Sequence, residues 1–268
     1  MYTIDARKAR KSVRFVKKRG VEFKDARHEA LDGDPYTLPM HVLFEDHHLI
    51  AVNKPAGVMT QAPAGIPSLE ADVKAYIKEK YAKPAGVYLG IPHRLDRPVS
   101  GVIVFCRNTK AAQRVAEQFQ QHRVTKVYWG LVEGTVAEDV GEWRDFVRKV
   151  GDEARGEVVA PDAEGAKEAI TAYRVLRRDA DLTLLELIPR TGCMHQLRIQ
   201  SAARGHPVMG DVLYGSTRPF GPVAELPRDR IIALHARRLV FEHPFRKVLV
   251  EVEAPVPNYW PDGVQGGS

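Results

Sequence analysis

The chain has 268 residues, 44% hydrophobic and 28% charged, which is enough to bury a substantial core and ordinary for a water-soluble globular protein. No apolar run approaches the ~20 residues a membrane helix needs, and no apolar segment of the secretory type follows the basic N-terminus. Two cysteines, Cys106 and Cys193, with no zinc-type spacing point to reduced thiols in a cytoplasmic protein rather than to a disulfide scaffold or a zinc module.

The net charge of +6 is unevenly placed. Residues 1–28 hold ten lysines and arginines against three acidic residues, a local +7, so the rest of the chain stands near −1. A basic arm on a balanced body suggests a polyanionic partner held through phosphates; a solvated, solubilising tail is the alternative. The turn cluster Asp32-Gly33-Asp34-Pro35 ends the arm. The expected division is an N-terminal extension at 1–38, a main domain at 39–260 and a flexible tail at 261–268.

In chain order, Val42-Leu43-Phe44 and Leu49-Ile50-Ala51-Val52 read as two short strands around the polar turn Glu45-Asp46-His47-His48. That turn is read as a hairpin tip rather than a metal cluster. The spacing predicts a helix over 68–81, with Ser68 as cap and Leu69, Val73, Tyr76 and Ile77 as its apolar stripe. A strand, Val102 to Phe105, precedes a second helix over 109–121, capped by Asn108 or Thr109. Residues 125–132 alternate as a strand, with Val127, Trp129 and Leu131 on one side and Lys126 and Tyr128 on the other. Residues 135–167 read as a polar insertion with loose β character.

Strands resume at 169–176 and 182–188. A helix is expected over 194–204, stopped by Gly205, and two strands follow at 234–241 and 248–252. Many strands with few helices indicate an α+β protein with a mixed, largely antiparallel sheet and flanking helices. The ten histidines are dispersed, no His-x₃-His or Cys-x₂-Cys occurs, and no dinucleotide, P-loop or nucleophile-elbow pattern is present. The expectation is chemistry without metal or cofactor.

The most specific stretch is His93-Arg94-Leu95-Asp96-Arg97-Pro98-Val99-Ser100-Gly101, which runs straight into the apolar strand. An ionised Asp96 is acceptor-only and can act as a nucleophile or an electrostatic anchor; pairing with Arg94 or Arg97 to fix a turn is the plainer reading. The segment resembles the catalytic loop of the RluA-type RNA pseudouridine synthases, whose signature is His-Arg-Leu-Asp, two variable residues, then Thr-Ser-Gly. Val99 stands here in place of the Thr. Two further segments resemble the same family in the proper order: Lys126-Val127-Tyr128, and Gly192-Cys193-Met194-His195-Gln196-Leu197-Arg198, where Cys193 and Met194 replace Arg and Thr. Weaker matches are Val52 to Gly57, Gly205 to Gly215, and Leu234 to Pro244.

The resemblance implies the pseudouridine synthase fold and isomerisation of uridine to pseudouridine in structured ribosomal or transfer RNA. Asp96, Tyr128 and Arg198 are then the catalytic residues: Asp96 acts at the glycosidic carbon, Tyr128 stacks on the base, and Arg198 pairs with Asp96. Arg94, His93, Lys54, Lys126, His195, Leu234 and Leu239 are assigned to substrate binding. Arg94 is expected to fill the space left by an unstacked uridine. The expected partner is an RNA stem-loop, with no DNA and no membrane, and the expected state is a monomer. Two alternatives stay open: a non-catalytic RNA-binding or ribosome-assembly factor on the same fold, and an N-glycoside hydrolase, which would usually want a second carboxylate.

Overall fold

The computed structural model describes residues 40–261, so the basic arm and all but the first residue of the tail lie outside the described residues. Strands β1 (His41–Glu45) and β2 (Leu49–Lys54) form the expected hairpin. At its tip Asp46 Oδ1 accepts from the His48 and Leu49 amides at 2.7 and 2.8 Å. Helix α1 (Leu69–Lys80) is capped by Ser68, whose Oγ accepts from Ala71 N. Helix α2 (Thr109–Gln120) is capped by Asn108, whose Oδ1 accepts from Ala111 N at 2.9 Å. Each cap satisfies a backbone donor with no intrahelical partner and contributes about 1 kcal/mol.

Strand β3 (Ser100–Cys106) is buried along its whole length. Val102 and Val104 pack with Ala111 and Val115 of α2, while Ile103 and Phe105 pack with Leu69, Val73 and Ile77 of α1. Burial on both faces is why this strand reads as an unbroken apolar run instead of alternating.

The remaining strands are β4 (Thr125–Glu133), β5 (Val140–Lys149), β6 (Gly156–Val159), β7 (Lys167–Asp179), β8 (Leu182–Pro189), β9 (Leu234–Glu242) and β10 (Leu249–Glu253). They make one sheet in the order β1-β2-β3-β9-β4-β8-β7-β5-β6, with β10 paired to β9. Every pairing is antiparallel except the short β3–β9 contact. The fold is therefore α+β with a mixed, largely antiparallel sheet.

Two elements differ from expectation. Residues 135–167 are regular: β5 pairs with β7 over eight positions and with β6 over four. The third helix, α3 (Gln196–Ala202), is shorter at both ends than the expected span, and His195, in a left-handed conformation, sets its N-terminal end.

The β3–β9 junction positions the site. Ser100 and Gly101 meet His235 and Ala236, and β10 takes over that edge of β9 from Arg238 onward. Gly101 lies at φ +118°, where a Cβ would run into the Ala236 backbone, so only glycine fits. Beyond the junction, β3 is served by the preceding chain. Gly90 exchanges both backbone hydrogen bonds with Cys106, and His93 Nε2 accepts from Val104 N at 3.0 Å.

Candidate active site

The loop carrying Asp96 is fixed from several sides. Thr60 Oγ1 donates to Leu95 O at 2.9 Å, and the buried Lys54 ammonium donates to Pro55 O, Val58 O and Arg97 O at 2.7–3.1 Å. Gly57 N donates to Arg97 O, and Val99 N closes the turn onto Asp96 O. Leu95 and Val99 are buried in the apolar cluster formed by Trp129, Leu187, Leu197 and Leu234. With its neighbours held inward, the Asp96 side chain keeps 33% exposure and points to the open side.

The partners of Asp96 come from the other end of the chain. Arg198 Nη1 lies 3.3 Å from Asp96 Oδ2, across 102 residues of sequence. Arg198 is itself buried and gripped by Asp211, with Nε–Oδ2 at 2.6 Å and Nη2–Oδ1 at 2.8 Å. Burial opposes the guanidinium charge, but the Asp211 hydrogen bonds together with the negative charges of Asp211 and Asp96 outweigh it and raise the pKa of Arg198 further. His195 Nε2 approaches the same Asp96 oxygen at 3.5 Å, and His195 Nδ1 lies 2.8 Å from the Tyr214 hydroxyl.

Tyr128 lies on β4 opposite Leu187 of β8 and Ala236 of β9. A bulge between Val127 and Tyr128 leaves Arg237 of β9 without a partner on β4 and re-aims the strand at this point. Tyr128 packs against the same apolar cluster as Leu95 and Val99. Burial, with the charge of Asp96 adding to it, pushes its phenol well above the ordinary value and keeps it neutral. A carboxylate, a guanidinium and a phenol from three distant segments thus converge on one patch.

Comparisons with known proteins identify the family. The RNA pseudouridylate synthase family model matches residues 48–203. The chain is 35% identical over 233 residues to ribosomal large subunit pseudouridine synthase D of Xylella fastidiosa, covering 85% of this chain and 69% of that relative. It is 33% identical over 238 residues to tRNA pseudouridine synthase C of Salmonella typhi, covering 82% and 87%. The chain belongs to the RNA pseudouridylate synthase family. In fold it is similar to human RNA pseudouridylate synthase domain containing 4, with TM-score 0.67, 24% identity, and coverage of 82% of this chain and 89% of that one.

Within this pseudouridine synthase, the ten residues singled out from sequence divide by position. Asp96, Arg198, Tyr128 and His195 come together, and Leu234 lies on the Tyr128 face of the sheet, opposite Gly130. Arg94 is exposed, with no side-chain partner among the described residues.

The other four are engaged within the fold. Lys54 is wholly buried and tied to three carbonyls, so it braces the Asp96 loop; burial, opposed by Asp96, lowers its pKa to about 7. His93 is stacked on Phe119 at 4.6 Å with its Nε2 committed to Val104, and burial lowers its pKa to about 3, so it is a neutral structural group. Lys126 donates to Thr191 O at 2.7 Å and fastens the loop before α3. Leu239 is buried in the other cluster, with Val102, Val104 and Phe241 beneath α2. Arg97 does not pair with Asp96 either; it bonds Asp229 at 2.6 Å and Gly57 O at 2.8 Å.

Sequence reasoning missed Asp211 and Tyr214, both inside the Gly205–Gly215 segment, which was matched as a weaker resemblance and given no role in the site. The usable signal was an acidic residue and an aromatic three apart, just after the helix that carries the buried arginine. Val99 needs no hydroxyl, because its side chain packs in the core. Among the described residues, no group of three or more His, Cys, Asp or Glu side chains is placed to hold a metal ion, and no helix is long and apolar enough to cross a membrane.

Proposed function

We propose that this enzyme isomerises uridines in folded ribosomal or transfer RNA, with Asp96, Tyr128 and Arg198 as its catalytic residues. Asp96 acts at the ribose, as nucleophile on the anomeric carbon or as base beside it. The N1–C1′ bond breaks, the freed uracil turns while stacked on Tyr128, and a C5–C1′ bond forms. The C5 proton leaves and N1 gains one, so atoms balance without a co-reactant. Arg198 keeps Asp96 oriented and compensates its charge. The observation that carries this reading is the 3.3 Å approach of Arg198 to Asp96 beside the Tyr128 phenol.

Arg94, exposed next to Asp96, stacks into the gap left by the extruded uridine. Arg94→Ala should therefore slow turnover on a structured stem-loop far more than on a short flexible oligonucleotide; equal loss on both would remove this role. The basic arm adds phosphate contacts, and the enzyme works as a monomer in the cytoplasm. The test is to incubate the purified chain with total RNA from cells lacking the gene and map pseudouridine. New pseudouridine at discrete positions without free uracil is expected. Free uracil would indicate a hydrolase, and unchanged RNA a binding factor.

A further inference from the structure

We propose that His195 is a positioning residue for the Asp96 carboxylate, offering a neutral Nε2–H to Oδ2, and that Tyr214 and Gly156 fix the tautomer in which it does so. The inference rests on reading Asp96 as the reacting carboxylate. Arg198 alone cannot define where that carboxylate lies. Two of its nitrogens are committed to Asp211, and only Nη1 reaches Asp96 Oδ2. His195 Nε2 approaches the same oxygen at 3.5 Å, a separation that a small shift on substrate engagement turns into a hydrogen bond.

The tautomer follows from a chain of donors. Gly156 N–H can only donate, and it donates to the Tyr214 hydroxyl oxygen at 3.0 Å. The hydroxyl proton is then free to point at His195 Nδ1, 2.8 Å away. Nδ1 is the acceptor, so the imidazole proton sits on Nε2, facing Asp96. The Tyr214 ring also lies under the Arg198 guanidinium at 4.9 Å, so one side chain orients both partners of the carboxylate.

The backbone is arranged for this. His195 adopts φ +51°, ψ +23°, a left-handed conformation that a residue with a Cβ rarely takes, and α3 begins at the next residue. Gly156 reaches Tyr214 because β6 lies hard against α3: a Cβ there would be 2.7 Å from Ile199 Cδ1. The β5–β6 hairpin, otherwise remote from the chemistry, thereby joins the support of the carboxylate.

Four groups act on the imidazole: Asp96 from the loop before β3, Arg198 from α3, and Asp211 and Tyr214 from the segment after α3. Burial, helped by Arg198 and opposed by Asp96 and Asp211, lowers the His195 pKa, so the ring is neutral at pH 7 and above. Protonation in acid would turn the neutral donor into a cation competing for the charge of Asp96.

Three variants test the idea: His195→Ala removes the donor, His195→Gln keeps an amide N–H within reach of Asp96, and Tyr214→Phe keeps the ring under Arg198 but removes the hydroxyl. The readouts are tritium release from bulk RNA labelled with 5-tritiated uridine, taken from cells lacking the gene, and RNA binding, each from pH 5 to 9. His195→Ala should turn over about 30-fold more slowly with RNA binding unchanged, because a misplaced reacting group costs rate rather than affinity. His195→Gln should recover to within about threefold of wild type, and Tyr214→Phe should lose about fivefold. The acid limb of the wild-type rate should shift in His195→Gln.

Wild-type turnover in His195→Ala, no recovery in His195→Gln relative to Ala, or an unchanged acid limb in Gln would each overturn the inference. If the Ala variant does not fold, the Gln pH profile and the Tyr214→Phe rate decide it. Asp96→Asn assayed alongside separates the two levels: activity there overturns the catalytic reading itself, whereas inactivity there with a wild-type His195→Ala overturns only the role of His195.

Discussion

Two regions of this sheet use the same pairing of carboxylate and guanidinium in opposite settings. On the open face of β5, β7 and β8, Arg144 meets Glu142 and Glu168, Arg174 meets Glu186 at 2.9 Å, and Arg190 meets Glu142 at 3.1 Å. These arginine side chains are 47–57% exposed, so water can replace either partner and each pair contributes roughly 0–1 kcal/mol. Beside α3, Arg198 and Asp211 are 6% and 1% exposed and joined by two bonds. No water can substitute there, so the geometry is fixed and Nη1 of the guanidinium is aimed at Asp96. A surface ladder decorates the sheet, whereas a desolvated pair defines where a third group must be.

Asp211→Asn should sharpen that contrast most. It keeps the shape but leaves a buried guanidinium without its charge partner, and a loss of about 3–5 kcal/mol in urea unfolding is expected. A loss below about 1 kcal/mol would mean that the buried pair behaves like the surface ladder.

Acid should act next. Burial holds His93 neutral with a pKa of about 3 and, with Arg237 adding and Ala254 O opposing, His235 at about 4, against an ordinary 6.5. Between those values and 6.5 the unfolded chain binds more protons, so the stability from each neutral histidine is full above 6.5 and drains as pH falls. From pH 8 to 5 each should cost about 2 kcal/mol. Urea midpoints at the two pH values measure the drop, and His235→Gln should remove about 2 kcal/mol of it. An undiminished drop in that variant would place the proton uptake elsewhere.

Arg174→Ala should have the smallest effect, under about 1 kcal/mol by the same unfolding measurement. A larger loss would show that the exposed ladder is a cooperative network rather than a set of independent pairs.

What was legible in the sequence was local. Ser68 and Asn108 announced their helices because a cap is decided within four residues, and β3 announced its burial by an unbroken apolar run. The β5 strand was read only as loose β character because only Trp143 and Val147 supply apolar side chains to its buried face, while Glu142 and Arg144 face outward, so the pattern looked polar. In the site, the motifs located the right loops but did not separate groups that face the cleft from groups that brace it. Lys54 and His93 sit beside the active segments in sequence yet donate and accept inward. Asp211 and Tyr214 were passed over for the complementary reason: their spacing after the helix was visible, but their partners, Arg198 and His195, are reached only through tertiary packing.

The most direct test is Asp96→Asn, which preserves shape and removes charge. Pseudouridine formation and RNA affinity should be measured on the same folded RNA at fixed salt. Turnover should fall to background while the dissociation constant stays within about twofold, since phosphate contacts dominate RNA affinity. Pseudouridine formed at the wild-type rate by that variant would contradict the assignment of the chemistry to this carboxylate.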